Sequence, residues 1–240
     1  MKFSFRYYFI LSFLAFVLCS CTSENRNAGK KVFRYNEAAN INSLDPAFAK
    51  DQAMIWADVQ LYNGLVQMDN KLNIMPSIAK SWEISKDGLE YTFHLRNNVF
   101  FHPHQLFKNG KRRVVAEDFV YSLNRIVDKK TLSPGAVFFE NVEQINGKYS
   151  FFAPNDTTFV VRLKQPFSPF LGILTMPYAS VVPKEVVEYY KHDFHKHPIR
   201  TGPFKFKMWK ENVKLVLVKN EDYFETDSLG RRLPYLDAVA

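Results

Sequence analysis

The clearest local pattern in the chain is an alternation of apolar and polar side chains over residues 89–95. Such alternation is typical of a strand with one buried face. Residues 81–85 precede it, and the intervening Lys86-Asp87-Gly88 fits a tight turn, so we predict a β-hairpin. A second hairpin is predicted from residues 204–209 and 213–218. The buried face of the first hairpin would consist of Leu89, Tyr91, Phe93 and Leu95.

Other segments repeat apolar residues at helical spacing. Residues 116–127 form an amphipathic pattern, and residues 52–64 form a second helix that Asp51 can cap and Gly64 can end. Further elements are predicted as follows: strands at residues 32–36 and 158–163, and helices at residues 170–174 and 184–190. Strands and helices mix irregularly, without repeats. This favours an α/β or α+β fold with a mixed sheet.

The first twenty residues have the layout of an export signal. Lys2 and Arg6 precede an uncharged run at residues 7–18, which is too short for a bilayer core that needs roughly 20 apolar residues. Leu18-Cys19-Ser20-Cys21 resembles a bacterial lipobox. We therefore expect a signal peptide at 1–20, lipid attachment at Cys21 and a polar tether at 21–31; the alternative is a general secretory signal with an incidental cysteine.

Composition excludes several classes of function. Both cysteines lie in the signal region, so no disulfide and no cysteine nucleophile is expected in the exported part. Removing Lys2 and Arg6 from the 32 basic residues leaves 30 against 24 acidic ones, a net charge of +6. The basic run at residues 108–113 has two interpretations, a nucleic-acid patch or a solvated loop, and we favour the loop. No catalytic motif is recognisable, so we expect neither an enzyme nor a cofactor.

The histidines offer a candidate metal cluster. Their spacing does not place three imidazoles on one helical face, and charged neighbours indicate a solvated region, so we expect no metal site. The candidates are His192, His195 and His197, with His102 and His104 as a second pair.

Several motifs in order resemble the family 5 extracellular solute-binding proteins, which include the oligopeptide-, dipeptide- and nickel-binding proteins of ABC importers. The resemblance spans residues 32–237. It implies the first lobe of a class II periplasmic binding protein, with a mixed sheet and flanking helices. The motifs are Leu44-Asp45-Pro46, Tyr62-Asn63-Gly64-Leu65-Val66, Ser81-Trp82-Glu83-Ile84-Ser85, Asp87-Gly88-Leu89-Glu90-Tyr91-Thr92-Phe93, Ala116-Glu117-Asp118-Phe119, Thr201-Gly202-Pro203-Phe204 and Asn220-Glu221-Asp222-Tyr223-Phe224.

The chain also departs from the family pattern. Arg200 replaces the usual glycine before the Thr-Gly-Pro-Phe motif, and Val115 replaces a small polar residue before the helix at 116–127, which must then be capped by another group. Family members continue through a second lobe. We therefore expect residues 32–240 to be a first lobe that ends before the second one, as in a truncated gene or a fragment.

The resemblance further implies where a ligand would bind. In the family, the ligand lies between two closing lobes, and peptides are held largely through their backbone. The implied contacts of this lobe are Asn36, Glu37, Ala38, Ala39, Tyr178 and Ser180. The expected function is peptide capture for ABC permease subunits outside the cytoplasm, by a protein anchored to a membrane through lipid. The alternatives are a nickel-chelate binder, a structural or interaction lipoprotein, and a non-functional fragment.

Overall fold

The computed structural model describes residues 29–240, and residues 31–240 pack as one unit. The predicted signal peptide, Cys21 and most of the tether lie outside the described residues. The strands are β1 (Val32–Phe33), β2 (Val66–Met68), β3 (Ile74–Pro76), β4 (Ala79–Ile84), β5 (Glu90–Leu95), β6 (Gln144–Ile145), β7 (Lys148–Tyr149), β8 (Phe151–Asn155), β9 (Thr158–Arg162), β10 (Phe204–Lys210), β11 (Lys214–Lys219) and β12 (Ala238–Val239). The α-helices are α1 (Gln52–Leu61), α2 (Ala116–Val127), α3 (Phe170–Ile173) and α4 (Lys184–Tyr190).

One four-stranded sheet joins the beginning and the end of the described chain, in the order β1-β12-β11-β10. β1 runs parallel to β12, and the other neighbours are antiparallel. The predicted hairpin β10–β11 is confirmed. The strand predicted at residues 32–36 is shorter than expected, because its ladder with β12 ends at Phe33 and Val239. Beyond the ladder, Ala240 N donates to Phe33 O at 3.0 Å and Tyr35 N donates to Ala240 O at 2.9 Å.

A second sheet, in the order β4-β5-β9-β8, is antiparallel throughout. It contains the other predicted hairpin, β4–β5, with Tyr91, Phe93 and Leu95 buried as expected. Leu89, the fourth residue of the predicted face, precedes β5 and is only partly buried. Helix α2 packs against β8 and β9. Fully buried phenylalanines fill the space between them, and each contributes about 1.5–3 kcal/mol of hydrophobic stabilisation. They include Phe93, Phe119 and Phe159.

Val115 precedes helix α2 and has no side-chain group that can cap it, so a side chain in the first turn of the helix does so. The Asp118 carboxylate accepts a hydrogen bond from Val115 N at 2.9 Å, and the Asp156 carbonyl accepts one from Ala116 N at 2.8 Å. Two of the amide donors at the start of the helix are thereby satisfied. Asp118 is held in place by a bidentate contact with Arg112, at 2.7 and 2.5 Å.

Helix α1 begins as predicted, with the Asp51 carboxylate accepting from Met54 N, but it ends at Leu61 rather than at Gly64. The reason is a close crossing of the chain just before β10. Gly202 N donates to Leu61 O at 2.9 Å, and a Cβ on Gly202 would lie 2.4 Å from the Leu61 carbonyl carbon. Only glycine fits this crossing, which ties α1 to the four-stranded sheet.

Candidate ligand-binding site

The free edge of β1 lies next to the loop that sequence analysis selected. Within residues 29–240, β1 pairs only with β12, so its other edge has no strand beside it. The chain then leaves the sheet as the loop of residues 36–39. In this loop the Glu37 carboxylate accepts a hydrogen bond from Ala39 N at 3.0 Å, which fixes a local turn. An unpaired strand edge can accept an added strand through its main-chain groups.

A cavity of about 320 Å³ opens beside this loop, and we call it the aromatic cavity. Three elements form it: the loop after β1, one face of α1 and the tip of the β10–β11 hairpin. The helix contributes residues at helical spacing, and β12 closes the cavity with Val239 and Ala240. The helix residues are Ala53, Trp56, Ala57 and Gln60; the loop residues are Tyr35, Asn36, Glu37, Ala39, Asn40 and Ile41.

Two half-exposed aromatic rings form one wall of the aromatic cavity. Tyr35 and Trp56 meet edge to face, with ring centroids 5.2 Å apart. Their side chains remain 48% and 42% exposed, although both are large and apolar. Partial desolvation, followed by the neighbouring Glu37 carboxylate, raises the pKa of the Tyr35 phenol, which favours its neutral form.

The structure brings only some of the expected contact residues together. Asn36, Glu37 and Ala39 line the aromatic cavity, whereas Ala38 is exposed and does not line it. Tyr178 is 8% exposed, and its ring packs over Gly135 and 5.8 Å from the ring of Phe138. Ser180 is buried and lines a different cavity of about 570 Å³. The expected site is therefore divided between two places.

Two residues that shape the aromatic cavity, Trp56 and Trp209, are not among the ligand contacts expected from the sequence. The sequence does contain a signal for Trp56, since it lies on α1 at helical spacing from Ala53 and Gln60. No local pattern connects this face with Trp209, because the β10–β11 hairpin reaches it only through the fold.

The histidines are used in local contacts. His195 Nδ1 lies 2.7 Å from His192 O, and the His197 ring stacks on Tyr190 at 4.0 Å. His102 is buried, with Nε2 at 3.0 Å from Gly202 O, and burial lowers its pKa to about 3. Over residues 29–240, no group of three or more His, Cys, Asp or Glu side chains could hold a metal ion.

Nor does this part of the chain contain a helix long and apolar enough to cross a membrane.

Residues 73–240 match the sequence profile of the bacterial extracellular solute-binding proteins, family 5 Middle. A probable deoxycholate-binding periplasmic protein, YgiS, from Escherichia coli (strain K12) is 31% identical over 209 residues, which are 82% of this chain and 38% of that protein. A dipeptide-binding protein from Lactococcus lactis subsp. cremoris is 32% identical over 237 residues, 91% of this chain and 41% of that protein.

Solved structures give the same result. The periplasmic binding protein DppA from Helicobacter pylori, in complex with the peptide STSA, is 34% identical with a TM-score of 0.73, over 88% of this chain and 42% of that one. The oligopeptide-binding protein OppAIV from Borrelia burgdorferi is 29% identical with a TM-score of 0.77, with the same coverage. The predicted fold class is confirmed, and the chain spans about 40% of the length of the relatives it matches.

Proposed function

Since the chain belongs to the bacterial extracellular solute-binding proteins of family 5, we propose that it captures peptides for an ABC importer. Proteins of this family bind solutes and are not enzymes, which agrees with the expectation that the chain is not an enzyme. The observation that carries the peptide proposal is the free edge of β1 beside the aromatic cavity. A peptide could add to this edge as a strand, with its side chains directed into neighbouring pockets.

The proposed contacts follow from this geometry. The backbone of residues 36–39 continues from β1 and would bind the peptide main chain, while Glu37 is the acidic group available to a ligand amine. Tyr178 and Ser180 do not line the aromatic cavity, so their part would be indirect, through the segments they support. Ligand binding would favour a closed form that the permease subunits recognise, because a ligand shifts an equilibrium toward the form it contacts better.

A fluorophore beside the aromatic cavity tests the proposal. In a Cys19→Ser, Cys21→Ser background, Ala39→Cys is labelled with an environment-sensitive dye and titrated with tripeptides. We expect a saturable change in emission, because Ala39 is exposed on the cavity wall. The matched control is Leu229→Cys, which is 74% exposed and lies outside both cavities, and we expect no change there.

The same titration separates the alternatives. Equal responses at positions 39 and 229, or none at either, would contradict peptide binding at this site. The latter result is the one that a structural lipoprotein or a non-functional fragment would give. Saturation by a nickel chelate but not by peptides would support the nickel-binding alternative. Deoxycholate is included because one relative is described as binding it.

We further propose that Cys21 carries the lipid anchor and that the exported chain resides in the periplasm or at the cell surface. The support is the short uncharged run at residues 7–18 followed by Leu18-Cys19-Ser20-Cys21. Metabolic labelling with a fatty-acid probe is expected to mark the wild type and the matched control Cys19→Ala, but not Cys21→Ala. An unlabelled wild type, or a labelled Cys21→Ala variant, would contradict the anchor.

A further inference from the structure

The most deeply buried residues that line the aromatic cavity are apolar. They are Ala53, Ala57 and Leu217, which are 3%, 7% and 2% exposed. We call the space beside the two small alanine side chains the alanine recess; Trp56 lies on the same helix, and Trp209 of the hairpin also lines the cavity. The cavity volume of about 320 Å³ is at the lower end of the roughly 300–1,000 Å³ typical of small-molecule sites.

The charged side chains that line the aromatic cavity are more exposed than the two alanines. They are Glu37, Lys210 and Lys214, and both lysines are exposed. A charged ligand group that reached the alanine recess would lose its water and find no opposite charge there, which is unfavourable. An apolar group in the same place would gain hydrophobic stabilisation in proportion to the area it buries.

The aromatic wall is already formed without a ligand. Tyr35 and Trp56 hold each other edge to face, so neither ring needs to be ordered again when a ligand arrives. Large apolar surface that stays half exposed beside a cavity is typical of an interaction site. An aromatic or leucine-sized group entering the recess would cover this surface and make further contacts with the rings.

From these features we infer that the aromatic cavity is a selective pocket for one bulky apolar side chain of the ligand. The inference rests on the proposed function and extends it. Trp56 acts as the main selecting residue, Tyr35 orients Trp56, and Ala53 and Ala57 provide the space. Ligands with a small or charged side chain at this position bind less tightly.

The pocket is tested separately from peptide binding by ¹⁹F NMR of the full chain labelled with 5-fluorotryptophan, which gives one resonance for each of the three tryptophans. Indole is the probe, because it has no peptide backbone. We expect indole to shift the resonances of Trp56 and Trp209 saturably and to leave that of Trp82, which does not line the cavity, unchanged. Equal shifts of all three resonances, or none, would overturn the inference even if peptides bind at position 39.

Selectivity is tested with tripeptides Ala-X-Ala in which X is Phe, Leu, Ala, Lys or Glu. We expect the Phe and Leu peptides to bind at least about tenfold more tightly than the others, and Trp56→Ala to remove most of this advantage. Val59→Ala is the matched control, because Val59 is an exposed apolar residue of α1 outside the aromatic cavity and should leave the advantage intact.

The outcomes distinguish the two levels of proposal. If the peptides bind but their affinities are equal, or the Lys peptide binds best, the pocket inference is wrong and peptide capture stands. If no peptide binds while indole still shifts Trp56 and Trp209, the pocket stands and its ligand is not a peptide, so the proposed function is wrong.

Discussion

Replacing Arg200 by methionine is expected to lower the free energy of unfolding by about 3–5 kcal/mol. Arg200 is fully buried, with its guanidinium 3.7 Å from the carboxylate of Asp58, which is also fully buried. It lies 3.8 Å from the centre of the Tyr62 ring and donates to Leu44 O. Without it, the contacts with Tyr62 and Leu44 are lost, and the buried Asp58 loses the neighbour that favours its charged form.

Burial has a large effect on the pKa of Asp58. Desolvation raises its pKa to about 8, while the charge of Arg200 opposes that rise. With a pKa of about 8, Asp58 is already largely the neutral acid at pH 7, and in the Arg200→Met variant its pKa should rise further. At neutral pH the variant therefore buries little uncompensated charge. For that reason we expect the loss to stay within the range given and not to exceed it.

Urea unfolding followed by circular dichroism measures the effect. The double variant Asp58→Leu with Arg200→Met should recover most of the stability, because an apolar pair of similar volume needs no counter-charge. A double variant that loses the sum of the two single losses would contradict this explanation. Arg231→Met is the control, since the Arg231 side chain is exposed in its ion pair with Asp227, at 2.7 Å, and its replacement should cost less than about 1 kcal/mol.

The elements with strong local signals could be predicted from the sequence. Helix α2 has the predicted bounds, because its apolar stripe and its acidic first turn both act within a few residues. The hairpins β4–β5 and β10–β11 were likewise predicted from alternation and turn residues. Strand β8 was not, because Pro154 and polar residues obscure its pattern and its place is set by pairing with β9.

The features that depend on distant parts of the chain could not be predicted. Arg200 was recognised only as a missing glycine, since nothing near it in sequence indicates that Asp58 lies opposite. The packing of Tyr178 over Gly135, where even a Cβ would lie 2.5 Å from the tyrosine ring, joins residues more than forty positions apart and has no local signal. The recess of the aromatic cavity depends on two alanines of α1 facing a hairpin tip. The residue types alone do not indicate that this helix face and the hairpin tip lie next to each other.

A second large effect is expected from His102 on the dependence of stability on pH. Burial, followed by the charges of Arg200 and Lys205, disfavours protonation, while the hydrogen bond to Gly202 O favours it, and the resulting pKa is about 3. In the unfolded chain the pKa of histidine is about 6.5. Between these values the unfolded state binds a proton that the folded state does not. Stability contributed by neutral His102 is therefore fully present above about pH 6.5 and falls as the pH is lowered toward 3.

The loss should amount to about 1.4 kcal/mol per pH unit, or roughly 4 kcal/mol by pH 3. The glutamine of His102→Gln keeps a donor for Gly202 O but cannot titrate. Between about pH 6.5 and 3, the free energy of unfolding of this variant should therefore fall less steeply than that of the wild type. Urea unfolding at a series of pH values gives the comparison, and carboxylates common to both proteins cancel in the difference. His192→Gln, at an exposed histidine, should retain the wild-type slope. Parallel curves for the wild type and His102→Gln would show that His102 is not the group that links acid to unfolding.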